Sequence, residues 1–290
     1  MSRPFAPVVV PPLAEQRGEA YVRLVEIMQR LLAPEGCPWD REQSPATLRR
    51  YVLEEACEVI DAIESGDRSS LREELGDLLL QVVFLGELMR REGAFGPDDI
   101  VQGIADKLVH RHPHVFADTK VTDADQVLQN WERIKAAEKK DRGLLDGVPR
   151  SMPALTRAQR IGEKVERVGF DWPDARGSRA KVAEEVGELD RAMSEGNEAR
   201  IEEELGDVLF AVVNLARHLK VDAEGALRKT TEKFQRRFAH VEARVKERHG
   251  GFHGMTASLA SDASSSAPAP GDKLPLEVLD RYWEEAKAKE

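Results

Sequence analysis

Cysteine is scarce in this 290-residue chain: Cys37 and Cys57 are its whole supply. Two cysteines make no disulfide framework and fit a reducing compartment, so a cytoplasmic location is expected. Long apolar runs are missing too. No stretch approaches the roughly 18–20 residues needed to span a membrane. The opening MSRPFAPVVVPPLAEQ has only a short apolar run broken by prolines. It is a poor export signal and reads as a disordered tail over residues 1–17. Strand-like alternation is nearly absent, which points to an all-α fold. Positive charge is in deficit: the net charge of −10 argues against a general binder of nucleic acid or membrane surfaces. Phosphate ligands would then need local basic residues or a metal. Neither a GxxxxGK[ST] phosphate loop nor a His-Asp dipeptide occurs.

What the chain does have is a repeat. The pentapeptide EELGD stands at Glu73–Asp77 and again at Glu203–Asp207. Aligning Glu54–Phe84 with Glu184–Asn214 needs no gap and gives 13 identities in 31 positions. KLVHRHPHV at Lys107–Val115 echoes KFQRRFAHV at Lys233–Val241, and WERIKAAE at Trp131–Glu138 echoes WEEAKAKE at Trp283–Glu290. Three matched blocks in one order indicate duplication. The Gly- and Pro-bearing stretch EKKDRGLLDGVPRSMP marks a break near Gly147. Domains are therefore expected at 18–146 and 147–290. The second copy carries a Ser/Ala/Pro-rich insert at about 255–273, which reads as a flexible loop.

Apolar spacing predicts helices from about Thr47 to Glu64 and from about Leu71 to Arg91, with counterparts near Ser178–Ser194 and Ala199–Lys220. Each pair, joined by a short loop, should form an antiparallel hairpin. LLLQVVFLGEL is apolar on nearly every side, so the other half or a second chain is expected to cover it.

The hairpins place acids in pairs. Glu55 and Glu58, and Glu185 and Glu188, share a helix face at a spacing of three; Glu74 and Asp77, and Glu204 and Asp207, repeat that spacing on the second helix. Four converging carboxylates without a basic partner would repel and carry raised pKa values. A hard cation such as Mg²⁺ relieves that repulsion and commonly bridges carboxylates to substrate phosphates. The alternative is a solvated acidic helix face. The pattern adjoins the most apolar helix of each half and survives duplication while neighbours such as Ile60/Asp190 do not, which favours a site. Gly76 and Gly206 cost helix stability, about 1 kcal/mol relative to Ala; close helix approach is the expected reason. Lys233, Arg236 and Arg237 are positioned to meet phosphate oxygens or else form a solvated basic face. Trp131 and Trp283 either stack on a base or close the core. His110, His112 and His114 alternate along the chain and do not converge on a helix, so zinc is not expected.

The EExxE, short loop, ExxD, Lys/Arg and terminal WExxK blocks, together with GCPWDREQSPATLRRYVLEEACEVIDAI, RHPHVFAD, GVPRSMPAL and RVGFDW, resemble the MazG family of tandem-domain nucleoside triphosphate pyrophosphohydrolases. The likeness runs from about Val22 to the end; the insert after Met255 and the proline-rich start depart from it. It implies all-α, four-helix-bundle-like units completed by dimerisation, most simply a homodimer. It also implies hydrolysis of ribo- and deoxyribonucleoside triphosphates to monophosphate and pyrophosphate, for nucleotide-pool housekeeping or a stress response. By motif, Glu185, Glu188, Glu204 and Asp207 would hold Mg²⁺, with Mn²⁺ as a substitute, and Glu55, Glu58, Glu74 and Asp77 are the first-half equivalents. Glu184 or Glu203 would orient or deprotonate water, Lys233, Arg236 and Arg237 would neutralise the phosphate tail, and Trp283 would contact the nucleotide. Asn214, where the first half has Phe84, would also contact the nucleotide, and together with the denser basic cluster it favours the second half as the catalytic unit. A Nudix box is not matched by LREELGD, and a non-catalytic scaffold is opposed by intact acids in both halves.

Overall fold

The computed structural model describes residues 18–117, 119–138, 143–252 and 273–290. The tail at 1–17 and almost all of the insert at 255–273 lie outside the described residues. The chain divides into two compact units, 1–140 and 141–290, and among the described residues every regular element is a helix.

The first unit contains α1 (Glu19–Leu32), α2 (Pro38–Arg41), α3 (Pro45–Ser65), α4 (Arg68–Arg91), α5 (Pro97–Arg111), α6 (Pro113–Phe116) and α7 (Ala124–Ala137). The second contains α8 (Ala154–Glu166), α9 (Ala175–Glu195), α10 (Glu198–His218), α11 (Ala223–His249) and α12 (Leu276–Lys287). Helices α3 and α4 form one hairpin, with α1 packed on α4; α9 and α10 form the other, with α8 packed on α10.

Local chemistry sets both hairpins alike. Helix α3 starts at a capping box in which Ser44 and Thr47 exchange side-chain bonds, and α9 starts at Asp174, whose carboxylate accepts from the Arg176 amide. Both end at a left-handed glycine, Gly66 (φ 73°) and Gly196 (φ 66°), a conformation that costs other residues more. The next residue, Asp67 or Asn197, is the N-cap of the following helix, and each caps a backbone amide with its side chain. The copies part further on. Pro113 interrupts the first copy after α5, while Ala239 at the matching position lets α11 run on to His249.

The cores lie in different places. In the first unit, Met28 and Leu32 of α1, Leu48 of α3, and Val83, Phe84 and Leu88 of α4 close into one buried cluster. In the second, a core cluster of Val241, Val245 and Tyr282 forms between α11 and α12. The long apolar stretch of α4 is only half covered: Leu75, Leu79 and Val82 are exposed, as are Leu205, Leu209 and Val212 of α10. Gly76 and Gly206 correct one expectation. A Cβ at either would meet no atom within 4 Å, so neither glycine is needed for close approach within its unit.

Candidate active site

The antiparallel hairpin of the second unit brings one carboxylate oxygen from each of Glu185, Glu188 and Glu204 to within 4.8 Å of the others. Glu185 and Glu204 are buried, at 6% and 9% exposure. Glu55, Glu58 and Glu74 make the same trio in the first unit, with Glu58 exposed. Three hard oxygen donors at this separation form a set that fits a small divalent cation. The fourth predicted ligand stands beside each trio rather than in it. Asp207 lines the neighbouring cavity, and the charge of Asp77 acts on both Glu55 and Glu74.

The two clusters differ in charge balance. The expectation of carboxylates without basic partners fits the first unit, where burial, then Asp77 and Glu58, push the Glu55 carboxyl above its usual range. Burial and then Glu58 do the same to Glu74. It fails in the second unit, where each member of the trio has a cation. Lys181 lies 2.8 Å from both Glu185 and Glu184, Arg191 is 3.1 Å from Glu188, and Arg200 is 3.4 Å from Glu204. Hydrogen bonds to Glu184 and Glu185 raise the Lys181 ammonium well above the ordinary lysine range. The first unit has Tyr51, Asp61 and Ser70 at these positions, so the difference is written into the sequence one helical turn from each acid.

A cavity of about 650 Å³ opens beside the second cluster. Lys181, Glu185 and Asp207 line its acidic side, and Ser178, Asn214 and Arg217 line it further along the same two helices. Phe170, Asp171 and Trp172, from the segment before α9, line it as well. Trp172 is seated on Gly177, where a Cβ would collide with the indole. The corresponding positions of the first unit are Leu48, Tyr51, Phe84 and Glu87. Leu48 and Phe84 are core residues there, with Tyr51 packed against them, so the equivalent space is filled.

Other predicted residues are placed elsewhere. Glu184 pairs with Lys181, and Glu203 is exposed at the start of EELGD. Lys233, Arg236 and Arg237 are on α11 and do not line the cavity. Arg237 donates from Nε to Glu290 at 3.1 Å, and its guanidinium lies 5.7 Å from the centre of the Trp283 ring. Trp283 packs on the core cluster of α11 and α12 and meets Phe234 with ring centroids 4.9 Å apart. Asp171 lies in RVGFDW with nothing there to mark it as a site residue, whereas Lys181, Ser178 and Arg217 escape a motif search because none stands in a repeated block. The signal that finds them is the opposite one: polar or charged residues of the second copy aligned with Tyr51, Leu48 or Glu87 of the first.

Known proteins match this chain along nearly its whole length. A MazG nucleotide pyrophosphohydrolase domain matches residues 43–116 and again 176–242. The nucleoside triphosphate pyrophosphohydrolase of Escherichia coli (strain K12) is 45% identical over 274 residues, covering 92% of this chain and 97% of that protein. The nucleoside triphosphate pyrophosphohydrolase/pyrophosphatase MazG of Thermotoga maritima is 41% identical over 275 residues, covering 94% and 98%. A crystal structure of a mazG-related protein from Thermotoga maritima aligns with 39% of this chain and 97% of its own, at 29% identity and a TM-score of 0.35. The full-length relatives and the two domain matches, on a helical chain with two carboxylate trios, decide the matter: the chain belongs to the MazG family of nucleotide pyrophosphohydrolases.

Proposed function

We propose that the second unit hydrolyses ribo- and deoxyribonucleoside triphosphates to monophosphate and pyrophosphate with the help of Mg²⁺. One observation carries this reading: the trio Glu185, Glu188 and Glu204 adjoins an open polar cavity, whereas the matching space of the first unit is packed with Leu48 and Phe84. Glu185 and Glu188 of α9, with Glu204 and Asp207 of α10, would hold the cation, with Mn²⁺ as a substitute. Bound there, the cation would withdraw charge from the phosphate oxygens and make a nearby water a better nucleophile.

The chain's own groups have separate tasks. Lys181 brings positive charge between the acids and the cavity, where a triphosphate needs it. Water attacks the α-phosphorus, the α–β anhydride bond breaks, and pyrophosphate leaves with the bonding electron pair. Glu184 or Glu203 takes the proton. Glu184→Gln and Glu203→Gln, compared for kcat, separate these two candidates. Lys233 and Arg236 neutralise the outer phosphates, and Arg237 joins them only if it gives up Glu290.

Pyrophosphate release from a panel of nucleoside triphosphates, with and without Mg²⁺, tests the reading. Turnover that needs the metal supports it; no turnover with any nucleotide would leave a scaffold. We also propose a homodimer, because Leu205, Leu209 and Val212 remain exposed along α10. Light scattering that returns the monomer mass overturns that part.

A further inference from the structure

Further along the cavity from Glu185 and Asp207, one amide is held rigidly. Arg217 donates to Asn214 Oδ1 from both Nε and Nη2, at 2.9 and 2.7 Å. A guanidinium only donates, so the amide orientation is settled: Oδ1 faces Arg217, and Nδ2 is left to donate elsewhere. Arg217 is itself fixed. Its Nη1 donates to Glu166 Oε2 at 2.8 Å and its Nη2 to Asp171 Oδ1 at 2.6 Å, and its side chain is 8% exposed. Gly162 makes room for it, since a Cβ there would lie 2.9 Å from Arg217 Nε. With two carboxylates balancing its charge, this arginine is no spare cation for phosphate.

Ser178 supplies an independent sign. The residue is 1% exposed, its Oγ has no hydrogen-bond partner, and it lines the same cavity. A buried hydroxyl left unpaired is costly and calls for an explanation. Ser178 lies seven residues before Glu185 on α9, and Asn214 lies seven after Asp207 on α10. At 1.5 Å per residue each step is about 10 Å, the scale that separates a nucleotide's reacting phosphate from its base.

Given that the second unit is the nucleotide site, we propose that Asn214 Nδ2 and Ser178 Oγ read hydrogen-bonding atoms on the nucleobase edge. Arg217 is a positioning residue that fixes the polarity of Asn214. Asn214→Asp replaces the donor with an acceptor of the same shape and should change the ranking of kcat/KM among the four ribonucleoside triphosphates by about tenfold. A uniform change across all four bases overturns base reading. Ser178→Ala should raise KM about three- to tenfold with kcat nearly constant and Tm unchanged or higher. An unchanged KM removes Ser178 from the proposal.

Arg217→Lys keeps the charge but loses the two-pronged hold on Asn214. It should flatten the base ranking as Asn214→Ala does, and the double variant should lose no more than Asn214→Ala alone. Additive losses overturn the positioning role. If Arg217→Lys does not fold, Asn214→Asp and Ser178→Ala decide. Glu204→Gln serves as the control for the underlying reading. If it still turns over nucleotides, the metal-site assignment fails. If it is dead while Asn214→Asp leaves the base ranking untouched, the base-reading inference alone fails.

Discussion

Phe84 and Asn214 occupy the same place in two copies of one hairpin, and the copies diverge around that pair. In the first unit the neighbours of Phe84 include Leu48, Val83 and Leu88, a dry core. In the second, Asn214 shares a cavity with Ser178, Lys181 and Arg217. Both copies keep their glutamates, so the acids alone do not distinguish the two units. What separates them is whether the space beside the acids is open, and whether cations are in place to balance the charge there.

The widest gap between the units should appear when one trio glutamate is removed from each. Glu204→Ala is expected to lower kcat/KM for pyrophosphate release roughly 1000-fold, the scale set by losing several kcal/mol of charge stabilisation. Glu74→Ala should leave release within about twofold, because no nucleotide enters a space filled by Phe84. Steady-state assays on both variants check this. A large loss from Glu74→Ala would reverse the assignment of the units.

Much of this contrast was legible in the sequence. The duplication followed from the matched blocks and the two hairpins and paired acids from helical spacing, and α9 begins only three residues before the expected Ser178. Phe84 against Asn214 already marked a place where the two copies differ. The cations of the second cluster were not legible as a motif. Lys181, Arg191 and Arg200 stand three or four positions from Glu185, Glu188 and Glu204 on the same helices, a local spacing shared by many ordinary surface ion pairs. Asp171 and Arg217 are 46 residues apart and meet only through the packing of the segment before α9 on α10. Gly76 and Gly206 misled for a related reason: a glycine's low helix propensity shows that it is unusual, not which neighbour it faces.

A second test exchanges the contents of the two spaces. Phe84→Ala empties a buried site and should cost the first unit about 3 kcal/mol or more, measured by urea unfolding, with pyrophosphate release from folded protein unchanged. Asn214→Phe copies the first unit into the second. It should lower kcat/KM about 30-fold by occupying the cavity, while changing stability much less than Phe84→Ala does. If Asn214→Phe leaves catalysis intact, the cavity is not where substrate lies.

The smallest expected effect concerns charge balance. Burial and neighbouring acids raise the carboxyls of Glu55 and Glu74. For groups raised in the folded state, their contribution to stability is fully present below the unfolded carboxylate pKa and is lost as pH rises through the folded value. The ionised trio therefore opposes folding at neutral pH and ceases to do so in acid. Glu74→Gln should raise Tm at pH 7 by on the order of one degree, and the gain should shrink as pH falls and Glu55 and Glu74, both raised, take up protons. Glu204→Gln should give no such gain, since Arg200 already offsets that carboxylate. Mg²⁺ sharpens the comparison. If the first trio binds the cation, adding it should stabilise the wild type at pH 7 and narrow the gap to Glu74→Gln, because the ion relieves the same repulsion that the substitution removes. A gap that persists in saturating Mg²⁺ would mean that the first unit keeps the acids without the metal.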